Sequence, residues 1–373
     1  MLSGKRNIKV CHFTSVHPVN DTRIFIKECS SLAKAGYETF LVATGCSDHI
    51  KNGVRIKGVP AVNGGRIKRF TLTAWRIYQK ASAINADIYH FHDPELLPYG
   101  LLLKRKGKKV IYDVHEDVPE DILTKDWIPK LLRRLVSVSV KLFENWAAQH
   151  MRYIITATPF IRDRFLHLNY NPVNVNNYPI LNELFLPRTE WSNKLKVVCY
   201  VGTISKERGI FEMIEAVSHS GTTLLLAGEF SPLQQCEVVR KMTGWSNVKK
   251  LGMVSREKIT KIFSESIAGL VLFHPGPNHT NAQPNKMFEY MSASLPIIAS
   301  NFTLWKEIVE GNNCGICVDP LNPKEIAKAI QWIIDHPDDA KLMGENGRKA
   351  VKEKYNWEIE GKKLLAIYKD LTE

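Results

Sequence analysis

Short β-branched or apolar runs alternate with amphipathic stretches along the whole chain, the pattern of parallel strands joined by crossover helices. It predicts an α/β fold. In the first half, strands are expected at Ile8–Phe13, Glu38–Ala43, Ile88–Phe91, Lys109–Val114 and Tyr153–Ala157, with helices such as Arg23–Ala35 and Leu72–Ile84 between them. The Asn-rich, Pro-containing stretch Asn169–Pro187 lacks periodicity and reads as a linker. A second series follows, with strands at Lys196–Val201, Thr222–Ala227, Val248–Lys250, Gly269–Phe273, Pro296–Ala299 and Gly315–Val318. Its helices are expected at Ile210–Ser218, Ser231–Met242, Arg256–Glu265, Lys286–Ala293, Pro323–Asp335 and Asp338–Lys354. Two doubly wound domains result, 1–180 and 181–356, with the terminal segment 357–373 expected to join the first. Ligands of such sheets bind outside the carboxyl ends of the strands, so the site is expected in a central cleft.

Composition changes this picture little. The 373 residues suffice for two cores, and 44% hydrophobic with 24% charged residues is ordinary for a globular chain. No apolar run approaches the roughly 18 to 20 residues of a membrane span. The start, Met1–Lys9, lacks the apolar region of a secretory signal, so a cytoplasmic location is expected. Seven scattered cysteines fit reduced, buried thiols, and Cys314-Gly-Ile-Cys317 lacks the second pair that a zinc or redox motif wants.

Charge adds more. The net +13 is lopsided: residues 1–185 hold 27 Lys/Arg against 16 Asp/Glu, whereas 186–373 hold 24 against 22. Such asymmetry suits a first domain facing an anionic lipid surface or a polyanion. Within it, Ile128, Leu131, Leu132, Leu135, Val138, Leu142 and Trp146 recur at helical spacing, with Lys130, Arg133, Arg134 and Lys141 largely elsewhere on the wheel. Segment 128–149 therefore reads either as a basic amphipathic helix for a membrane interface or as one whose apolar stripe packs on the core.

Candidate chemistry concentrates in the second half. Val197-Val-Cys-Tyr-Val-Gly202-Thr203-Ile-Ser-Lys-Glu-Arg208-Gly209 runs from strand through a glycine turn to a helix start, where free amides and the helix dipole favour a phosphate. Arg208 adds a cation; the plainer alternative is a glycine-shaped turn with a surface arginine. Further on, Phe273-His-Pro-Gly-Pro-Asn-His-Thr-Asn281-Ala-Gln-Pro-Asn285-Lys286-Met-Phe-Glu289-Tyr-Met leads from a polar loop into a helix. Lys286 can offset phosphate charge there, and Glu289 can accept two ribose hydroxyls or merely complement the helix dipole.

With Asn20-Asp-Thr-Arg-Ile-Phe-Ile-Lys-Glu, His90-Phe-His-Asp-Pro-Glu and Tyr112-Asp-Val-His-Glu-Asp, these segments resemble, over nearly the whole chain, the retaining glycosyltransferases of GT-B family 4, which include many bacterial surface-polysaccharide enzymes. The resemblance implies two Rossmann-like domains and retaining transfer of a hexose-type sugar from a nucleotide diphosphate donor, UDP- or GDP-linked, to a lipid-linked or polysaccharide acceptor. It places Arg208 and Lys286 on the donor pyrophosphate, Glu289 on the ribose, and Gly202, Thr203, Asn281 and Asn285 about the donor. His115 is expected to reach the transferred sugar, and His92 and Asp93 to line the cleft. Two positions depart from the pattern: Thr203 stands where an arginine is usual, and Asn281 where the first glutamate of an E-x7-E motif is expected. No cofactor or metal is expected, since Arg208, Lys286 and the helix N-termini can meet the leaving charge, and His90 and His92 show no third ligand nearby. No nucleic-acid partner is expected. A nucleotide-sugar epimerase or a sugar- or nucleotide-binding protein remains open, whereas the first strand leads into Thr14-Ser-Val-His-Pro without the G-x-G-x-x-G of a dinucleotide enzyme.

Overall fold

The structure, a computed structural model, describes residues 7–61, 65, 68–125, 127–168, 171–181, 183–184, 191 and 194–373. Residues 1–6 of the segment weighed as a leader lie outside these, as do 169–170, 182 and 185–187 of the expected linker. The chain divides into two units, Met1–Asn177 with Trp357–Glu373, and Tyr178–Asn356.

In the first unit, eight strands run β1 (Lys9–Phe13), β2 (Glu38–Thr44), β3 (His49–Lys51), β4 (Val54–Val59), β5 (Ile88–Phe91), β6 (Lys109–Val114), β7 (Tyr153–Thr156) and β8 (Asn171–Asn174). They lie in the order β3-β4-β2-β1-β5-β6-β7-β8, parallel except for β3 against β4. Strand order reverses between β1 and β5, the position where open parallel sheets bind ligands. The central strands are buried along their length because helices cover both faces; Val10, Cys11, Phe13, Tyr89 and Phe91 are all fully buried, as are His12 and His90 among them. The expected linker is corrected here. Asn171–Asn174 pairs with β7 from Tyr153↔Asn171 to Thr156↔Asn174, and its Asn-Pro composition hid an edge strand, the one sheet position that tolerates proline. Strand β4 was also missed, because Arg55 and Lys57 interrupt its apolar run.

The helix after β1 begins with wide, π-type turns over Thr22–Cys29 and continues as an α-helix over Ser30–Lys34. Asp21 fixes its start by accepting from the Arg23 and Ile24 amides at 2.8 and 2.9 Å. The terminal helix Trp357–Thr372 packs on this unit: Trp357 donates to the Ser31 hydroxyl at 2.9 Å, and Glu360 accepts from the Asn176 amide at 2.9 Å.

Helix Lys130–Ala148 bears on the packing reading of its apolar stripe. It is seated through Ser137, Glu144, Ala147 and Ala148, while Leu131 is 96% exposed, Leu142 65% and Leu135 64%. Ile128, at its foot, is buried. The stripe does not pack on the core; it faces solvent beside exposed Lys130, Arg134 and Lys141. Among the described residues no helix is long and apolar enough to cross a membrane.

The second unit holds six parallel strands, β9 (Val197–Val201), β10 (Thr223–Ala227), β11 (Val248–Gly252), β12 (Ala268–Val271), β13 (Ile297–Ser300) and β14 (Gly315–Val318), in the order β11-β10-β9-β12-β13-β14. Its reversal falls between β9 and β12. The helix expected over Ser231–Met242 shrinks to Gln235–Val239, since Leu233 and Val238 are exposed and the segment has little apolar face to bury. Cys314 and Cys317 are free thiols, and burial pushes each up to about 12.

Candidate active site

At the switch point of the second sheet, β9 delivers Gly202 and the chain after β12 delivers Phe273. Gly202 has φ +133°, and a β-carbon there would stand 3.0 Å from Lys286 Nζ. Gly209, with φ +79°, opens the helix Ile210–Ser220, and a β-carbon on it would meet the Leu272 carbonyl at 2.1 Å. Both positions therefore need glycine, for backbone conformation and for close approach. Between them, the Thr203 carbonyl accepts from Tyr200 Oη at 2.6 Å and from Arg208 Nη1 at 3.4 Å.

Arg208 and Lys286 converge on one aromatic ring: Arg208 Cζ and Lys286 Nζ each lie 5.4 Å from the Phe273 ring centroid, and Nζ is 3.7 Å from that of Tyr200. The Lys286 ammonium is buried and has no hydrogen-bond partner among the described residues. Burial first, then Arg208, pushes its pKa well below the usual lysine range, with Glu289 opposing. Two cations over aromatic rings, one lacking an acceptor, form a cradle for an anion.

The expected residues around this pair sort differently. Glu289 lies one turn after Lys286 on helix Asn285–Ser292, but Arg256 Nη1 pairs with its Oε1 at 2.9 Å. Arg256, which also pairs with Glu183 at 2.9 Å, was not legible as a partner because 33 residues separate it from Glu289. Asn281 and Asn285 are half-buried and make no hydrogen bond to Arg208, Lys286 or Glu289 among the described residues. Their loop is held from outside, by Trp305 Nε1 donating to the Ala282 carbonyl at 2.8 Å and Tyr178 Oη to Gln283 Oε1 at 3.0 Å. The Thr203 side chain is exposed.

In the first unit the carboxyl ends of β1, β5 and β6 gather a histidine and carboxylate array. Asp113 receives a two-point bond from Arg23, Nε to Oδ2 at 3.0 Å and Nη2 to Oδ1 at 2.8 Å. Burial raises the Asp113 pKa, but Arg23 and then His115 outweigh it, and the carboxyl is held well below the usual carboxylate range. His115 Nε2 lies 3.1 Å from Asp113 Oδ2, and its ring, 15% exposed, packs 4.8 Å from that of His17. A partly exposed imidazole with a carboxylate fixing its orientation is suited to meeting a polar ligand.

His92 and Asp93, expected to line the cleft, are buried, at 3% and 2% exposed. His92 Nδ1 is 3.2 Å from both Asp113 Oδ2 and His115 Nε2. Asp93 Oδ2 accepts from Thr14 Oγ1 at 2.7 Å and from the Ser15 amide at 2.6 Å, locking the loop after β1. Sequence reasoning missed Asp113, Arg23 and His17 as site components. The one available signal was Asp113 standing two residues before His115 at a strand end.

Comparison with known proteins identifies the family and the fold. Residues 23–176 match the family model "Glycosyltransferase Family 4" and residues 183–350 the model "Glycosyl transferases group 1". An MMP alpha-(1->4)-mannosyltransferase of Mycolicibacterium hassiacum is 21% identical over 81% of this chain and 74% of its own. Matches to two other curated glycosyltransferases cover about half of their length. Among solved structures, sucrose-phosphate synthase from Thermosynechococcus elongatus superposes with a TM-score of 0.79 at 17% identity, covering 98% of this chain and 99% of that one. Anabaena HepE in complex with UDP and glucose superposes at 0.73 and 12% identity, covering 98% and 100%.

Proposed function

Since the chain belongs to the GT-B glycosyltransferases of the family 4 type, we propose that it transfers a hexose-type sugar from a UDP- or GDP-linked donor, with retention, to a lipid-linked or polysaccharide acceptor at a membrane surface. The observation that carries the donor half is the buried Lys286 ammonium, without an acceptor among the described residues and beside Arg208 at the switch point. A diphosphate supplies the missing acceptor oxygens, and the structural neighbour holding UDP and glucose supports that choice.

Negative charge grows on the departing diphosphate as the anomeric bond loosens. Donors already in place stabilise it with little reorganisation. Arg208 and Lys286 take this role without a metal, and Gly202 lets the backbone come close. Glu289, oriented by Arg256, receives the ribose hydroxyls, while Thr203, Asn281 and Asn285 complete the donor surroundings. His115, held by Asp113, meets the transferred sugar, and the acceptor hydroxyl enters on the face that the diphosphate leaves.

The acceptor half rests on the basic first half of the chain and on helix Lys130–Ala148, whose exposed leucines beside Lys130, Arg134 and Lys141 suit the headgroup region of an anionic bilayer. In this reading the enzyme works peripherally on the inner face of the cell membrane, in cell-surface polysaccharide synthesis.

Calorimetry with UDP and GDP, followed by a donor screen with mass detection, tests the assignment. Arg208→Ala and Glu289→Ala are each expected to weaken nucleotide binding at least tenfold, and unchanged affinity in both overturns the site. Product anomeric configuration by NMR tests retention, and epimer formation without transfer refutes the reaction.

A further inference from the structure

Behind His115, the first unit buries a set of side chains that sugar transfer does not use. His12 on β1 and His90 on β5 are register partners, His92 directly follows β5, and Glu28 comes from the helix that Asp21 caps. All four are fully or almost fully buried. One ligand-type atom of each lies within 4.8 Å of the others. His12 Nδ1 and His92 Nε2 are 3.0 Å apart with ring centroids at 5.2 Å, and His12 Nδ1 is 3.8 Å from Glu28 Oε2.

Hydrogen bonds account for only part of this cluster. In the tautomer in which His92 donates from Nδ1 to ionised Asp113, it presents Nε2 as an acceptor. His12 must then donate from Nδ1, its Nε2 accepts from the Tyr368 hydroxyl at 3.0 Å, and Tyr368 accepts from His90 Nδ1 at 2.7 Å. In that tautomer the series ends on His90 Nε2, buried with no hydrogen-bond partner among the described residues. Asp113 Oδ2, 3.8 Å away, is too far and is itself an acceptor. Among the described residues neither Glu28 oxygen has a hydrogen-bond partner; Arg23 Nε faces Oε1 at 3.1 Å but gives its proton to Asp113. Unsatisfied Lewis bases converging in a dry interior call for a physical occupant.

We propose that His12, Glu28, His90 and His92 form a closed four-ligand site for a divalent first-row cation of the zinc class. Three imidazole nitrogens and one carboxylate are a donor set of that kind. With bonds of about 2.0–2.1 Å, a tetrahedral site has edges of roughly 3.3 Å. The His12–His92 edge is close to this already, and since no separation exceeds 4.8 Å, none closes by more than about 1.5 Å. The outer shell is in place. His92 Nδ1 meets Asp113, and both His12 Nε2 and His90 Nδ1 meet Tyr368, so each ligand's other nitrogen is oriented.

The proton balance closes as well. Capture moves the His12 proton from Nδ1 to Nε2; the Tyr368 oxygen then accepts from both His12 Nε2 and His90 Nδ1 while its own hydrogen turns away from them, and any proton on Glu28 leaves to solvent. Asp113 already offsets Arg23, and the cation offsets Glu28. With no open position the ion is structural, pinning β1 to β5, to the helix bearing Glu28 and, through Tyr368, to the terminal helix.

Binding tests the proposal directly. The full chain, stripped with a chelator at neutral pH, is titrated with Co2+ and followed by the visible bands of tetrahedral cobalt, then challenged with Zn2+ and Mg2+. About one Co2+ per chain with tetrahedral bands, displaced by Zn2+ but not Mg2+, is expected, together with a higher melting temperature on Zn2+ addition. His90→Gln and Glu28→Gln, checked for folding by circular dichroism, should each weaken binding tenfold or more. Absence of tetrahedral bands in the wild-type chain overturns the site, and this measurement stands even where the variants fail to fold. Binding lost in His115→Gln but retained in His90→Gln also overturns it, moving the ion to His92, Asp113 and His115. Because no readout involves transfer, failure here leaves the glycosyltransferase reading untouched.

Discussion

Lys286→Met separates binding from stability at one atom. In the free protein the ammonium is buried with no hydrogen-bond acceptor among the described residues, and a buried polar group left unsatisfied costs about 1–3 kcal/mol. The Tyr200 ring 3.7 Å below it returns about 0.5–2 kcal/mol. Methionine keeps the unbranched volume and the ring contact while removing the charge, so the ligand-free variant is expected to be about 1 kcal/mol more stable. For a unit of this size that raises the melting temperature by roughly 2–4 °C. The sign with pH follows from the depressed pKa. The unfolded lysine titrates near 10.4, so between its folded pKa and that value the unfolded chain binds more protons, and wild-type stability rises with pH. The advantage of the variant is therefore largest at low pH and shrinks as pH approaches 10. Nucleotide binding moves the other way, because a charge-assisted bond to phosphate contributes about 1.5–3 kcal/mol, and its loss weakens UDP or GDP roughly 10- to 150-fold. Differential scanning calorimetry of the free protein at several pH values, beside nucleotide titrations, measures both. A variant that melts lower than wild type, or binds nucleotide as well, refutes the reasoning.

The other expectations concern different parts of the chain. Asp113→Asn leaves Arg23 buried beside Glu28 without its two-point partner, and is expected to cost about 3–5 kcal/mol in urea unfolding; a loss below about 1 kcal/mol would show that Asp113 does not hold the first unit together. If Glu289 receives the ribose, Glu289→Ala lowers affinity for UDP roughly tenfold or more yet leaves that for its 2′,3′-dideoxy analogue unchanged, and equal losses for both would remove the ribose role. Leu135→Glu with Leu142→Glu replaces two exposed side chains whose burial in lipid contributes about 1.5–3 kcal/mol each, so co-sedimentation with anionic vesicles should fall more than tenfold with little change in melting temperature. Negligible binding by the wild type to anionic and neutral vesicles alike, at low and high salt, would discard the membrane surface.

The sequence made most of the second unit legible because its six strands are short apolar runs separated by clear helices, and because its cations sit in segments that announce a turn. Lys286 and Arg208 were found that way. What could not be read was Arg256 closing on Glu289, a contact made by bringing together helices 33 residues apart. The first unit was harder for the same reason at larger scale. His90 and His92 lie two residues apart and were visible as a pair, but their companions come from strand β1 and from the helix after it. Alternation within one strand places side chains on a common face; it says nothing about which residue of a neighbouring strand stands opposite, and that register sets His12 against His90.

That register also explains why so many ionisable groups collect in a place with so little water. β1 and β5 flank the reversal of the first sheet, where successive crossovers leave in opposite directions and the strand ends are left uncovered by their own connections. A ligand site needs that opening, but the polar groups lining it must be held from behind by others, each of which must in turn be satisfied. Here the support passes from His115 to Asp113, from Asp113 to Arg23 and His92, and from His92 through His12 to Tyr368 on the last helix. Removing the Tyr368 hydroxyl with Tyr368→Phe therefore tests whether this support is mechanical. It leaves the His12 and His90 nitrogens without their shared partner, at about 1–3 kcal/mol for each unsatisfied group, while His115 is untouched. A fall in first-unit stability with nucleotide affinity unchanged is expected, since the donor cradle lies wholly in the second unit. Loss of nucleotide binding in Tyr368→Phe would mean instead that the array contributes to holding the donor.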